Sequence, residues 1–454
     1  MGGFAIFLSI FSVAWLGQAS QPAVPLGPTC LDGEMGFAIR PPADAKVVRH
    51  GPDEPGQRPA LFQLVSFPVP QRGWALAVQV MRTPPGEPIA DAAERIVERT
   101  VKHLGLTLLD RRPQQVDGRE AIRLSARGPF GGTEIYLLSA VVVATETKRF
   151  VVEFSGPAAD VAKLGDTFEA ILDSFRVLIT SSDEVALRRA SQAAVRLLPS
   201  IVAQGMADQL VPTSYYRLLS DGKDMGYMVV SERVRSLRGA AGVQVVERGW
   251  LFEPTGEIKR IENDLFVSND LNQERWVNRV HQIGVATQQR SRGYALTRVE
   301  GVRRGDTLLV AHSVGPTPTL SSDKVFGLSS DYLPQALIRL LPRFLVGGKT
   351  DPVAFTCYDT KGSGLVTRRY DPVGWDAIEL DGKSVSGYRL EDRLGLMASP
   401  AVMWVDRQGR LLRVRTGPID MILTDKTKID LLYKTRRAEA EAELTQLVEA
   451  ARRR

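Results

Sequence analysis

Apolar residues recur along this chain with two periods, and the balance between them changes near residue 210. In the earlier part, strand-like runs alternate with helical spacing. GFAIRPP opens a strand that Pro41 and Pro42 close, and ALFQLVSFPV and WALAVQVMR read as apolar strands parted by Pro68, Pro70 and Gly73. From Ile89 the spacing becomes helical: Ile89, Ala92, Ala93, Ile96, Val97 and Val101 share one side, and Gly105 ends the element. Asp117-Gly118 between strand-like flanks predicts a two-residue hairpin. Two further strands follow in TEIYLLSAVVVATETKRFVVEFSG, then a closing helix in AADVAKLGDTFEAILDSFRVL.

SSDEVALRRASQAAVRLLPSIVAQGM (181–206) predicts a helix that either links two domains or packs on one of them, with Ser182 or Asp183 as its cap and Pro199 near its end. From Tyr215 to about Leu432 the pattern is β. Turns are expected at Asp221-Gly222, Pro254-Thr255-Gly256, Asp381-Gly382 and Arg407-Gln408-Gly409, because glycine accepts the positive φ of a tight antiparallel connection. In VMWVDRQGRLLRVRT, alternation puts Val402, Trp404, Leu412 and Val414 on one face and Arg413 and Arg415 on the other. One helix interrupts the strands, DYLPQALIRLLPRFL (331–345), with Leu333, Ala336, Leu337, Leu340, Leu341 and Phe344 on its apolar side. Serial antiparallel strands with one inserted helix predict a long sheet curved around that helix. The last segment is Ala/Glu/Arg-rich and helix-forming, with a narrow stripe of Leu444, Leu447, Val448 and Ala451.

A length of 454 residues exceeds one ordinary core, so two or three domains are expected. Hydrophobic residues at 44% and charged residues at 24% mark a globular chain. The net charge of +6 is spread thinly, with no basic stripe interleaved with aromatics, so nucleic acid is not the expected partner. Phe4 to Leu16 form an apolar stretch of signal-peptide length, and Gly17 and Ala19 supply small residues for cleavage after Ala19. An uncleaved anchor and a buried N-terminal helix are the alternatives. No later segment has the apolar length of a membrane span. The chain therefore reads as exported, periplasmic or extracellular. Cys30 and Cys357 are candidates for a disulfide in an oxidising compartment.

Phe37 with Pro41-Pro42, the Asp117-Gly118 hairpin, and Phe168, Ile171, Leu172, Ser174 and Phe175 resemble the pattern of PsbP/Mog1-like domains. That resemblance implies an α/β/α sandwich and a non-catalytic accessory or binding role. In the later part, GKDMGYMVVSE, the helix at 331–345, FTCYD and the Trp404–Arg413 hairpin resemble exported open β-barrel proteins of the DUF3108-like and LolA/LolB-like group. That resemblance implies a concave apolar face able to hold a lipid, an acyl chain or a partner segment. The expected fold class is α+β: a PsbP/Mog1-like sandwich, then a curved antiparallel sheet with an inserted helix, then a C-terminal helix. The expected division is a signal peptide at 1–19, a tether at 20–33, the sandwich at 34–178, a linking helix at 181–206, the β domain at 210–432 and a basic helix at 433–454.

Candidate chemistry is sparse. His50, His103, His281 and His312 lie far from one another and from cysteine, so no local zinc motif exists, and no metal or cofactor is expected. His103 falls near a helix end, where a structural role fits a cation. Ser321-Ser322-Asp323-Lys324 matches S-x-x-K, but its companion elements are missing and a polar loop is expected there. Glu262, Asp264, Asp270 and Glu274 form the densest acidic patch, where two carboxylates could act as acid and base or several oxygens could hold Ca²⁺. Trp250, Trp276 and Trp404, with Leu337, Leu341 and Phe344, are the candidates for an apolar groove. These features favour a non-catalytic envelope protein that binds an apolar ligand or a partner segment. An exported hydrolase using the 262–274 carboxylates, or an accessory subunit docking through its last helix, are the alternatives.

Overall fold

The computed structural model of the chain describes residues 24–33, 35–49, 61–84, 86–284, 293–315, 320–347, 351–360, 364–395 and 399–452. The leader at 1–19 and His50 lie outside them. The fold is α+β and divides into two units, one ending at Ala186 and the other beginning at Leu187.

In the first unit, β1 (Cys30–Asp32), β2 (Phe37–Ile39), β3 (Val48–Arg49), β4 (Leu61–Val69) and β5 (Trp74–Arg82) precede α1 (Ile89–Ile96). Then come β6 (Thr107–Val116), β7 (Arg119–Phe130), β8 (Thr133–Thr145), β9 (Lys148–Pro157), α2 (Val161–Ser174) and β10 (Arg176–Val177). A seven-stranded antiparallel sheet runs β3-β4-β5-β9-β8-β7-β6, beside a small β1-β2-β10 sheet. The Asp117-Gly118 turn between β6 and β7 has positive φ at both residues, 53° and 70°, as its residue types require. Alternation along the central strands gives the sheet two apolar faces. Met81, Leu124, Leu137, Val141 and Val151 take the Ala92-Ala93-Ile96 side of α1. On the other face Phe154 stacks on Phe168 of α2 at 6.3 Å and meets Trp74 edge-on. Helices thus cover both faces in a sandwich. Phe37 and Phe175 add to the second layer by packing on Phe150.

α3 (Ser181–Gln204) leads into the second unit, whose strands are β11 (Thr213–Ser220), β12 (Lys223–Leu237), β13 (Ala240–Phe252), β14 (Ile258–Ser268), β15 (Gln273–Ile283), β16 (Tyr294–Arg304), β17 (Thr307–Val314) and β18 (Leu320–Gly327). After α4 (Gln335–Leu345) come β19 (Val353–Asp359), β20 (Gly364–Leu380), β21 (Lys383–Leu394), β22 (Ala401–Val405), β23 (Leu411–Thr416) and β24 (Ile419–Thr424), then α5 (Lys426–Arg452). All fourteen strands form one antiparallel sheet, β18-β17-β16-β15-β14-β13-β12-β11-β24-β23-β22-β21-β20-β19. Its curvature is strong. Tyr358 of edge strand β19 reaches across the inner face to Trp276 of β15, centroids 5.4 Å apart, and to Phe326 of the opposite edge strand β18 at 5.5 Å.

α4 lies on that inner face. Ala336, Leu337, Leu340 and Leu341 are fully buried against Val243, Val245, Leu265, Val267 and Trp276, and Ala194 and Ile201 of α3 join the same core. Polar residues of α4 are also used. Gln335, Arg339 and Arg343 are spaced four apart, so they form one stripe. The Gln335 backbone N–H donates to Glu274 of β15 at 2.6 Å while its side-chain amide donates to the Tyr358 carbonyl, Arg339 pairs with Glu247 of β13 at 2.6 Å, and Arg343 pairs with Glu232 of β12. Arg343 further donates to the Gln209 and Gly409 carbonyls. Gly409 has φ +80°, and a Cβ there would lie 2.6 Å from the Arg343 side chain, so the turn needs glycine on both counts.

Four expectations change. The inserted helix starts at Gln335, because Asp331 lies in a turn, Tyr332 bridges Thr356 and Pro334 is extended at the cap. The last helix starts at Lys426, seven residues before the expected 433, because the Asp425 carboxylate accepts the Lys428 amide as a cap. Its stripe is internal: Tyr433 stacks on Phe252 at 6.0 Å, and Leu444, Leu447 and Val448 pack with Trp250 and Phe252. Ser321-Ser322-Asp323-Lys324 forms part of strand β18. At β22–β23 a register shift after Trp404 puts Arg413 opposite Trp404 and over its ring, while Val414 pairs with inward Met403.

Arg343→Ala should destabilise the second unit by about 3–5 kcal/mol, since it leaves Glu232 buried without its partner. Denaturant unfolding should also show that Arg343→Met with Glu232→Leu recovers most of that loss.

Candidate functional site

The fate of the acidic patch follows from strand alternation. On β14, Leu265 and Val267 face the core, so Glu262 and Asp264 point to the other side of the sheet. On β15, Trp276 pairs with Leu265 and Glu274 with Val267, so Glu274 points inward. The sheet itself separates Glu274 from Glu262 and Asp264. Glu262 pairs with Arg260, and Asp264 accepts from Gln244. Asp270 organises the β14–β15 turn, accepting from Ser268 and Asn272, contacts that hold its carboxyl below the usual range. No acid–base pair converges there, and among the described residues no three metal-ligating side chains gather.

The groove candidates are likewise divided. Trp276 is fully buried on the inner face, as are Leu337 and Leu341, and half-buried Phe344 packs on the same core. Trp250 faces outward under α5, with Arg260 over its ring, and Trp404 faces outward in a cluster with Ile378 and Leu412. These six side chains therefore line no common groove, and the inner face beneath α4 is already filled. Cys30 sits half-buried on β1 in the first unit, and Cys357 is buried in the core of the second. His103 follows the last turn of the helical segment that continues α1. His281 is hydrogen-bonded with Tyr294 and His312 with Tyr358, and burial lowers the pKa of both imidazoles.

Glu274 is the most perturbed acid of the second unit. Burial pushes its carboxyl up to about 7, against the opposing donors Gln335 N–H and Tyr332 O–H and the nearby Arg303. Tyr332 donates to it at 2.9 Å, and the Arg303 guanidinium lies over the Tyr332 ring at 5.1 Å. In the first unit Glu153 is pushed to about 7 by burial, and its Oε2 has no hydrogen-bond partner.

Beside Glu274 opens a pocket of about 420 Å³, lined by Leu237, Arg238, Phe266, Asn272, Gln273, Glu274, Arg275, Val302, Arg303, Arg304 and Gly305. Three hairpin turns create it, because the β12–β13, β14–β15 and β16–β17 connections all fall at one end of the sheet. Phe266, Arg275 and Val302 are cross-strand neighbours in one outward row, and Gln273 and Arg304 pair in the next. Arg303 donates to Gly305 O at 2.7 Å. Arg238, Arg275 and Arg304 are exposed and form no ion pair among the described residues. These arginines are scattered in number, so no basic cluster in the sequence marks them. Their signal is positional: each flanks a tight turn, as in LRG, NQER and VRRGD.

No family model and no curated protein matches the chain. Several solved structures are similar to parts of it. PsbP (CyanoP) from Synechocystis sp. PCC 6803 matches with 19% identity and a TM-score of 0.28, over 36% of this chain and 98% of its own. A beta-barrel-like protein of domain of unknown function DUF1849 from Brucella abortus matches with 14% identity and a TM-score of 0.35, over 48% and 97%. LpqN of Mycobacterium tuberculosis, described as involved in cell envelope biogenesis, matches with 10% identity and a TM-score of 0.22, over 30% and 91%. Likenesses this low carry no argument about site or activity. No helix among the described residues is long and apolar enough to cross a membrane.

The Glu274 carboxyl makes the second unit pH-dependent. Its pKa is raised in the folded state, so the stability it confers is complete below about 4.5 and is lost as pH rises toward about 7. Glu274→Gln should flatten that slope, which amounts to about 3 kcal/mol over the window, in urea unfolding measured from pH 4.5 to 8.

Proposed function

We propose that this chain is a non-catalytic binding protein of the cell envelope, and that the arginine-lined pocket at the hairpin end of the large sheet holds an anionic group of its ligand. The carrying observation is the set Arg238, Arg275 and Arg304, cations that form no ion pair among the described residues around one pocket. A guanidinium is always charged and presents donors in a planar fork that suits phosphate or carboxylate. Protein carboxylates do not satisfy these three, so a ligand anion would meet cations that remain available.

A binding role also accords with the separation of Glu274 from Glu262 and Asp264, which leaves the carboxylates without a shared cleft. The ligand is assigned to the outer rim because α4 occupies the inner face beneath it. Export rests on the apolar Phe4–Leu16 stretch with Gly17 and Ala19 behind it.

Two measurements test this reading. Pyrophosphate at ten times its Kd should raise the unfolding free energy of the full chain by about 1.4 kcal/mol, and Arg275→Gln with Arg304→Gln should abolish that gain without lowering stability in its absence. An unshifted wild type would end the pocket assignment. For export, mass spectrometry of protein recovered from the periplasm should find a chain beginning at Ser20.

A further inference from the structure

The outward row that supplies Phe266, Arg275 and Val302 does not stop at the pocket. Val302 pairs with Leu309 of β17, and Leu309 pairs with Val325 of β18. Leu309 is 48% exposed and Val325 47% exposed, while Phe266 at the other end is almost fully buried. The row is therefore Phe266, Arg275, Val302, Leu309, Val325, across five adjacent strands. Four of its five members are apolar. Its span is four inter-strand steps, or about 19 Å. It begins within the arginine-lined pocket and leads to the sheet's edge.

The two chemistries are segregated along this line. Arg238, Arg275 and Arg304 concentrate positive charge at one end, and Leu309 and Val325 offer uncovered apolar surface at the other. A free phosphate would use the first part and leave the second in water. A neutral hydrocarbon would use the second part and leave the arginines unanswered. A molecule with an anionic head and one alkyl chain satisfies both, since its chain buries the exposed apolar side chains while its head meets the guanidiniums.

The geometry points to an anionic amphiphile, an alkyl chain carrying a phosphate-type head, as the ligand of this surface: the head in the pocket and the chain laid across β16, β17 and β18. This assignment rests on the anion-binding reading of the pocket and adds the chain. It places the hydrocarbon on the outer face of the sheet, on the opposite side from α4.

The test compares three probes on the full chain by titration calorimetry, each kept below its micelle concentration: dodecyl phosphate, pyrophosphate and dodecyl maltoside. Dodecyl phosphate should bind at least about tenfold more tightly than pyrophosphate, since burial of even two methylenes suffices for that ratio. Dodecyl maltoside should not bind. Leu309→Ser with Val325→Ser, both at exposed positions, should reduce dodecyl phosphate to the affinity of pyrophosphate. Equal affinities for dodecyl phosphate and pyrophosphate in the wild type would overturn the alkyl assignment while leaving the anion pocket standing. Equal binding of dodecyl maltoside and dodecyl phosphate would overturn it as well, by removing the role of the head. Failure of both phosphates to bind would remove the amphiphile and the anion pocket together.

Discussion

Three carboxylates on the inner face of the large sheet set the position of its helix. Glu232, Glu247 and Glu274 come from β12, β13 and β15, and α4 answers them with the Arg343 and Arg339 side chains and the Gln335 backbone N–H at four-residue intervals. Apolar burial alone would let a short helix slide or rotate on a curved surface, because it is non-directional. A buried carboxylate without its partner is costly, so the polar contacts select one seat. Glu274 also meets the N-terminal end of the helix, where negative charge is favourable.

That seat decides where function can be located. With Leu337 and Leu341 pressed onto Val243, Leu265 and Trp276, the inner face beneath the helix belongs to the protein's own core. The outer surface near the hairpin ends stays open. There, alternation exposes Arg275 and Arg304 one residue away from the inward Glu274 and Arg303. The buried Glu274 carboxyl and the exposed Arg275 and Arg304, which form no ion pair among the described residues, thus lie on opposite faces of the same two strands. Protonation of Glu274 near pH 7 also removes a negative charge close to the pocket, which leaves the arginine field less opposed.

Much of the fold was legible because its signals are local. The helix at Ile89, the hairpins at Asp117-Gly118, Asp221-Gly222 and Asp381-Gly382, and the interrupting helix ahead of Phe344 all follow from spacing and from glycine's tolerance of positive φ. The errors share a cause too. Strict alternation puts Trp404 and Val414 on one face because it cannot foresee a bulge. The polarity of the S-x-x-K run predicts a loop, but pairing with β17 makes it a strand. The stripe on the last helix is legible, but it packs in a cluster with Phe252, which precedes Leu444 by 192 positions.

The sequence by itself determined the period of each element, the tight turns and the two-part organisation, since these depend on neighbours a few residues apart. It determined also that acids cluster between Glu262 and Glu274. Only the tertiary structure decided that this cluster is split by the sheet, that the concave face beneath α4 is occupied, and that arginines from three separate turns meet at one rim. The physical reason is that a strand's neighbours across the sheet and the hand of its register are set by pairing at a distance. A single residue of register moves a side chain to the opposite face.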